Sequence, residues 1–109
     1  MNMVIVVLKA FYPPHKTEEI AKIVPELAKK YPPDESIAEA VVRGAGRSTE
    51  IGFEGMVIWK VKEGQFDKLI TRILGAMSMF KTVEGYRWSI ETWATDFEET
   101  MIYLKKIQI

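Results

Sequence analysis

The sequence predicts one α+β domain with the element order β-α-β-β-α-β and a further element at the C-terminus. Three observations carry that prediction. Residues 3–11 (MVIVVLKAF) are rich in β-branched residues and apolar at both parities as far as Leu8. Two later segments repeat apolar residues at spacings of three and four, the signature of a helix stripe. Between and after them lie segments of strand composition. The 109 residues form one domain, 1–109, since domains usually hold about 100–150.

An unbroken apolar run reads as a central strand buried on two faces, and Pro13-Pro14 ends it. Ile20, Ile23, Val24, Leu27, Ala28 and Tyr31 then make one helix stripe. Thr17 is the expected N-cap, with Glu18-Glu19 in the first turn. Pro25 is expected to kink or restart this helix, and Pro32-Pro33 stops it. Residues 37–43 and 51–62 read as strands joined by a Gly-, Ser- and Thr-rich loop, hence a hairpin. Phe66, Leu69, Ile70, Ile73, Leu74, Met77 and Phe80 form the second stripe, in which Gly75 costs about 1 kcal/mol of helix propensity. Residues 83–94 read as the fourth strand. Thr95-Asp96-Phe97-Glu98 then fits a capping box opening a short C-terminal helix, with TMIYLKKIQI as a strand the alternative.

Composition excludes several functions. Fifteen basic residues balance fifteen acidic ones, whereas a domain that holds nucleic acid by counterion release normally carries a basic excess. No cysteine means no disulfide framework, thiolate metal site or cysteine nucleophile. The lone histidine, His15, rules out a zinc site built from two or three histidines, so no metal is expected. An RNA-recognition strand should read K/R-G-F/Y-G/A-F-V-x-F/Y. Residues 51–56 match only at Gly52-Phe53, and Glu54 would repel phosphate. No signal peptide or membrane span is recognisable, so the chain reads as soluble and cytoplasmic.

The element order resembles the ferredoxin-like split βαβ fold over about 90 residues. In that fold two helices cover one sheet face. The expected open face holds Ile37, Val41, Met56, Ile58 and Trp93 beside Glu39, Arg43, Glu54, Arg87 and Glu91. A solvated face would show fewer large apolar groups. This leftover face resembles that of the dimeric α+β barrel superfamily, in which two sheets pack face to face. The resemblance implies a homodimer and a small-molecule site, as in the superfamily's small monooxygenases and isomerising enzymes.

Candidate site residues follow from these placements. His15, beside Pro14 at the first helix, has the residue chemistry of a general base, against the plainer reading of a solvated loop histidine. Haem-degrading members of the superfamily combine Asn, Trp and His. Asn2, Trp59 and His15 supply the types, but His15 lies on the wrong helix, and no cofactor is expected. Arg43, Glu54, Arg87 and Glu91 form a charged set. Arg suits a ligand carboxylate and a desolvated Glu suits a base, whereas mutual pairing across strands is the structural alternative. Trp59, Trp88, Trp93, Tyr86 and Tyr12 could form an aromatic pocket for a flat ligand. Trp93, which shares parity with Arg87 and Glu91, is the better pocket candidate, while Trp88 and Tyr86 read rather as core. Residues 44–49 (GAGRST) suggest phosphate binding only superficially, because they join two strands rather than a strand and a helix.

Two function classes remain: a ligand-binding barrel, with or without catalysis on a small, partly aromatic metabolite, and a non-catalytic oligomerisation or regulatory module. A cavity of several hundred Å3 beside Trp93 would favour the first.

Overall fold

A computed structural model describes residues 4–94 and 97–107. The elements are β1 (Val4–Tyr12), α1 (Thr17–Lys30), β2 (Ala38–Thr49), β3 (Gly52–Val61), α2 (Phe66–Ser78), β4 (Arg87–Ala94) and α3 (Phe97–Ile107). A single 3-10 turn, Pro14–Lys16, joins β1 to α1. The four strands form one antiparallel sheet in the order β2-β3-β1-β4, the ferredoxin-like arrangement. The C-terminal segment is helical, so the strand alternative falls. Thr95 and Asp96 of the expected capping box lie outside the described residues, as does Asn2.

Register assigns the faces, because directly opposed residues of an antiparallel pair share a side. Val6, opposite Trp59 and Thr92, and Leu8, opposite Val57 and Ile90, face the helices. They meet Ile20 of α1 and Leu69, Ile73 and Met77 of α2, with Phe80 and Val83 beyond the helix. Val6 is fully buried, as expected of the central strand. Val7 points the other way, between Ile58 and Glu91, and is also buried.

β2 departs from the expected faces. Its pairing slips between Ala40 and Val42 and again between Val42 and Ala45, so two bulges re-aim the side chains beyond Ala40. Val42 is thereby set opposite Ile58 on the open face. Ile37, assigned by alternation to the open face, instead enters the core just before the strand. Simple alternation holds only while pairing is regular.

The hairpin also differs. Residues 44–49 continue β2, and the reversal occurs at Glu50-Ile51. Thr49 closes it: its hydroxyl donates to the Gly52 carbonyl (2.8 Å) and accepts from the Gly52 amide (3.2 Å). Gly52 lies so near β1 that a Cβ there would stand 2.4 Å from the Tyr12 carbonyl oxygen.

α1 runs through Pro25 without ending or restarting. Pro25 and Ala21 are both exposed, so water reaches the carbonyl that the missing N–H leaves unpaired. Thr17 is the first helical residue rather than the cap, and its hydroxyl donates to the Pro14 carbonyl (2.9 Å). β4 begins only at Arg87, four residues later than composition suggested, because residues 79–85 turn away from α2. Trp88 stands 40% exposed on the edge strand and is not core.

Candidate functional site

On the helix-covered side, the β2–β3 wing is floored by very small residues. Ala38 and Ala40 of β2, Gly44 and Gly46 farther along, and Gly55 of β3 offer nothing large enough to reach α2. A cavity of about 600 Å3 results, within the usual size of small-molecule sites. Its wall is mainly apolar and aromatic: Leu8, Val57 and Trp59 from the sheet, Leu69, Ile73 and Met77 from α2, and Leu27 from α1. Phe80 and Tyr86 also line it, stacked with centroids 4.5 Å apart and rings within 6° of parallel.

Tyr31, at the C-terminal end of α1, forms part of the wall. Its hydroxyl lies where a Cβ on Gly75 would stand, 2.3 Å away, so Gly75 is the residue that lets the ring lie against α2. Arg72 lies over the same ring, 5.8 Å from its centroid, and donates to the Pro32 carbonyl. Asp34 ties the following loop. Its carboxylate accepts from the Ser36 hydroxyl (2.6 Å) and amide (3.0 Å), and these bonds hold its carboxyl below the ordinary range. Arg43, displaced by the β2 bulges, joins this rim and has no ion-pair partner among the described residues.

Tyr86 brings a polar group to this apolar wall. It is half-buried against the core, and among the described residues its hydroxyl reaches only the Met77 sulfur, at 3.7 Å. Burial pushes its pKa up to about 12, with nearby Tyr12 adding to the effect. The phenol is therefore neutral near pH 7 and available as a donor.

The open face carries the other sequence-proposed residues. Lys9 pairs with Glu91 across β1 and β4 (3.2 Å), and the Trp93 indole N–H donates to the same carboxylate (3.1 Å). Hydrogen bonds from Lys9, then Trp93, hold the Glu91 carboxyl below the ordinary range, which keeps it ionised. Arg47 donates to Glu54 (2.7 Å), directly opposite on β3. Arg87 lies 5.0 Å from the Phe11 centroid, again directly opposite. Between these groups lie Ile5, Val42, Met56, Ile58 and Trp93, the last 57% exposed. A shallower hollow of about 290 Å3 sits beside Lys9, Arg47, Glu54 and Met56.

Of the charged residues proposed from sequence, Arg43 alone borders the larger cavity, and of the aromatic candidates Trp59 and Tyr86 do. Glu54, Arg87, Glu91 and Trp93 stand on the opposite face, and His15 is exposed in the 3-10 turn. Sequence reasoning missed Tyr31, Arg72 and the partner Lys9. The cavity leaves a signal in the small side chains of Ala38, Ala40, Gly44 and Gly46, but the two glycines give the same signal as a hairpin loop and the two alanines that of an ordinary inward-facing strand.

No group of three or more His, Asp or Glu suited to a metal occurs among the described residues. No helix there is long and apolar enough to cross a membrane. No family model matches the sequence, and no curated protein does. Two solved structures share the fold. One is the de novo designed protein Foldit4, 16% identical, with a TM-score of 0.56 over 86% of this chain and 99% of that one. The other is a proposed antibiotic biosynthesis monooxygenase from Caulobacter crescentus CB15, 17% identical, with a TM-score of 0.51 over 88% and 92%. At these identities the likeness is one of fold: a ferredoxin-like α+β domain.

Proposed function

We propose that the protein binds a small, partly aromatic molecule between its sheet and its helices, and that it works as a cytoplasmic homodimer joined through the open sheet face. The carrying observation is the cavity of about 600 Å3 lined by Trp59, Tyr31, Phe80 and Tyr86. A concave, mainly apolar and aromatic cleft of this size, open to solvent along the β2 side, has the form of small-molecule sites. The Caulobacter neighbour, described as a monooxygenase, supports a site that admits organic molecules. Catalysis on the bound molecule, without a resident cofactor, is the enzymatic form of the same reading.

The dimer draws on the open face, where Ile5, Ile58, Met56 and Trp93 lie between ion pairs already satisfied within one chain. Covering this surface costs less than covering unpaired charges would, because its charges bring their partners with them. The second reading, a non-catalytic oligomerisation module, is favoured by that same pairing, with Arg87 and Glu91 setting register rather than holding a ligand.

N-phenyl-1-naphthylamine, a neutral fluorescent aromatic, tests the cavity. It should bind with micromolar affinity, and Ala40→Leu, which grows into the hollow, should abolish binding while the protein stays folded. Undiminished binding to Ala40→Leu would place the probe elsewhere and sink the reading. Light scattering at micromolar concentration tests the dimer. A monomer would remove it, and Trp93→Asp should dissociate a true one.

A further inference from the structure

The polar inventory of the cavity wall is lopsided. Tyr86 brings a hydroxyl whose only partner among the described residues is a thioether sulfur, a weak acceptor, at 3.7 Å. Trp59 brings an indole N–H that has no acceptor among the described residues and stays accessible to water. Tryptophan only donates. The side-chain carboxylates on the wall are Asp34 and Glu35, both exposed in the loop after α1, and Asp34 already accepts twice from Ser36. The part of the cavity between sheet and α2 thus offers donors and no free carboxylate.

A hydroxyl whose acceptor is a thioether sulfur makes a weak bond, and a ligand that supplies an oxygen gives it a stronger one. We propose that the cavity selects a flat aromatic molecule bearing a carbonyl oxygen, and that Tyr86 determines this specificity by donating its hydroxyl to that oxygen in exchange for the Met77 sulfur. This inference rests on the binding function proposed above and names its ligand class. Burial keeps Tyr86 protonated to about pH 12, so the donor is present throughout the physiological range. Its ring is held by the near-parallel stack on Phe80, which fixes the hydroxyl before any ligand arrives.

Two probes separate the inference from the reading beneath it. Prodan is a naphthyl ketone whose emission reports hydrogen bonding at its carbonyl, and N-phenyl-1-naphthylamine has no carbonyl. Tyr86→Phe keeps the ring and the stack but removes the donor. It should weaken Prodan roughly tenfold and shift the bound emission to the blue, leaving N-phenyl-1-naphthylamine within twofold. Equal affinity of Prodan for both proteins would overturn the carbonyl preference while leaving the binding function intact. Failure of both probes to bind the parent would overturn both. Met77→Leu removes the competing sulfur and gives an independent readout. It should raise Prodan affinity alone, and no rise would count against the exchange even if Tyr86→Phe did not fold.

Discussion

The two halves of the helix-covered sheet face differ in what they offer the same helix. Under β1 the sheet presents Val6 and Leu8, and α2 answers with Leu69, Ile73 and Met77, all buried. Toward β2 it presents Ala38, Ala40, Gly44 and Gly46, with Gly55, Val57 and Trp59 of β3 beside them, and the same helix spans a hollow. Leu8, Leu69, Ile73 and Met77 border both. One half is packed for stability, and the other trades packing for space. A domain with a single core can sustain such a void because its filled half carries the burial.

The largest expected effect tests that division directly. Ile20→Ala, on the filled side and clear of the cavity wall, should lower unfolding free energy by about 2–5 kcal/mol, read from denaturant midpoints. Ala40→Leu, on the hollow side, should change it by less than about 1 kcal/mol, since the added methyl groups enter space rather than atoms. Equal losses in the two variants would erase the distinction.

Next comes the alkaline limb. An unfolded tyrosine ionises near 10, whereas Tyr86 in the fold holds its proton to about 12. Between those values the unfolded state releases a proton that the folded state keeps, so stability falls as pH rises. The contribution is fully present below pH 10 and is lost by about pH 12, amounting to about 1–2 kcal/mol once partial exposure is allowed for. Tyr86→Phe should flatten this part of the pH–stability curve relative to the parent. Parallel curves would mean that the hydroxyl titrates as in water.

A smaller effect concerns Gly75. Alanine is worth up to about 1 kcal/mol more than glycine inside a helix, but here its Cβ would displace the Tyr31 hydroxyl. Gly75→Ala should therefore stabilise the Tyr31→Ala protein, by up to about 1 kcal/mol, and stabilise the parent less. Equal gains in both backgrounds would remove Tyr31 as the reason for the glycine.

The smallest belongs to the open face. Glu91 has a lowered pKa, so whatever its pair contributes is present above the ordinary carboxylate range and disappears as pH falls through its folded value. Because the pair is exposed, Glu91→Gln should barely move the melting temperature at pH 7 and should slightly flatten the acid limb. A large loss at pH 7 would show that this face is covered in solution.

Much of this was written in the chain. Period-two and period-3.6 patterning placed both long helices and all four strands, because one-sided burial imposes those periods whatever surrounds them. The unbroken run at Val4–Leu8 announced the central strand for the converse reason, since burial on both faces removes the alternation. The charged residues of β3 and β4 were assigned to their face by parity alone, and register keeps them there.

What patterning could not supply was anything that depends on two segments meeting. The bulges in β2 arise from its pairing with β3, and they carry Val42 to one face and Arg43 to the cavity rim. Lys9 became the partner of Glu91 only through strand order, which sets β4 beside β1. The cavity is the clearest case. Alanine and glycine in a strand say only that little is present, and whether that leaves a tight contact or a hollow depends on how far away α2 is held. That distance is set by the core in which Leu8, Leu69, Ile73 and Phe80, which also line the cavity, pack with Val6 and Ile20. Local sequence determines which side chains face inward, and the sum of their volumes in three dimensions decides what space is left between them.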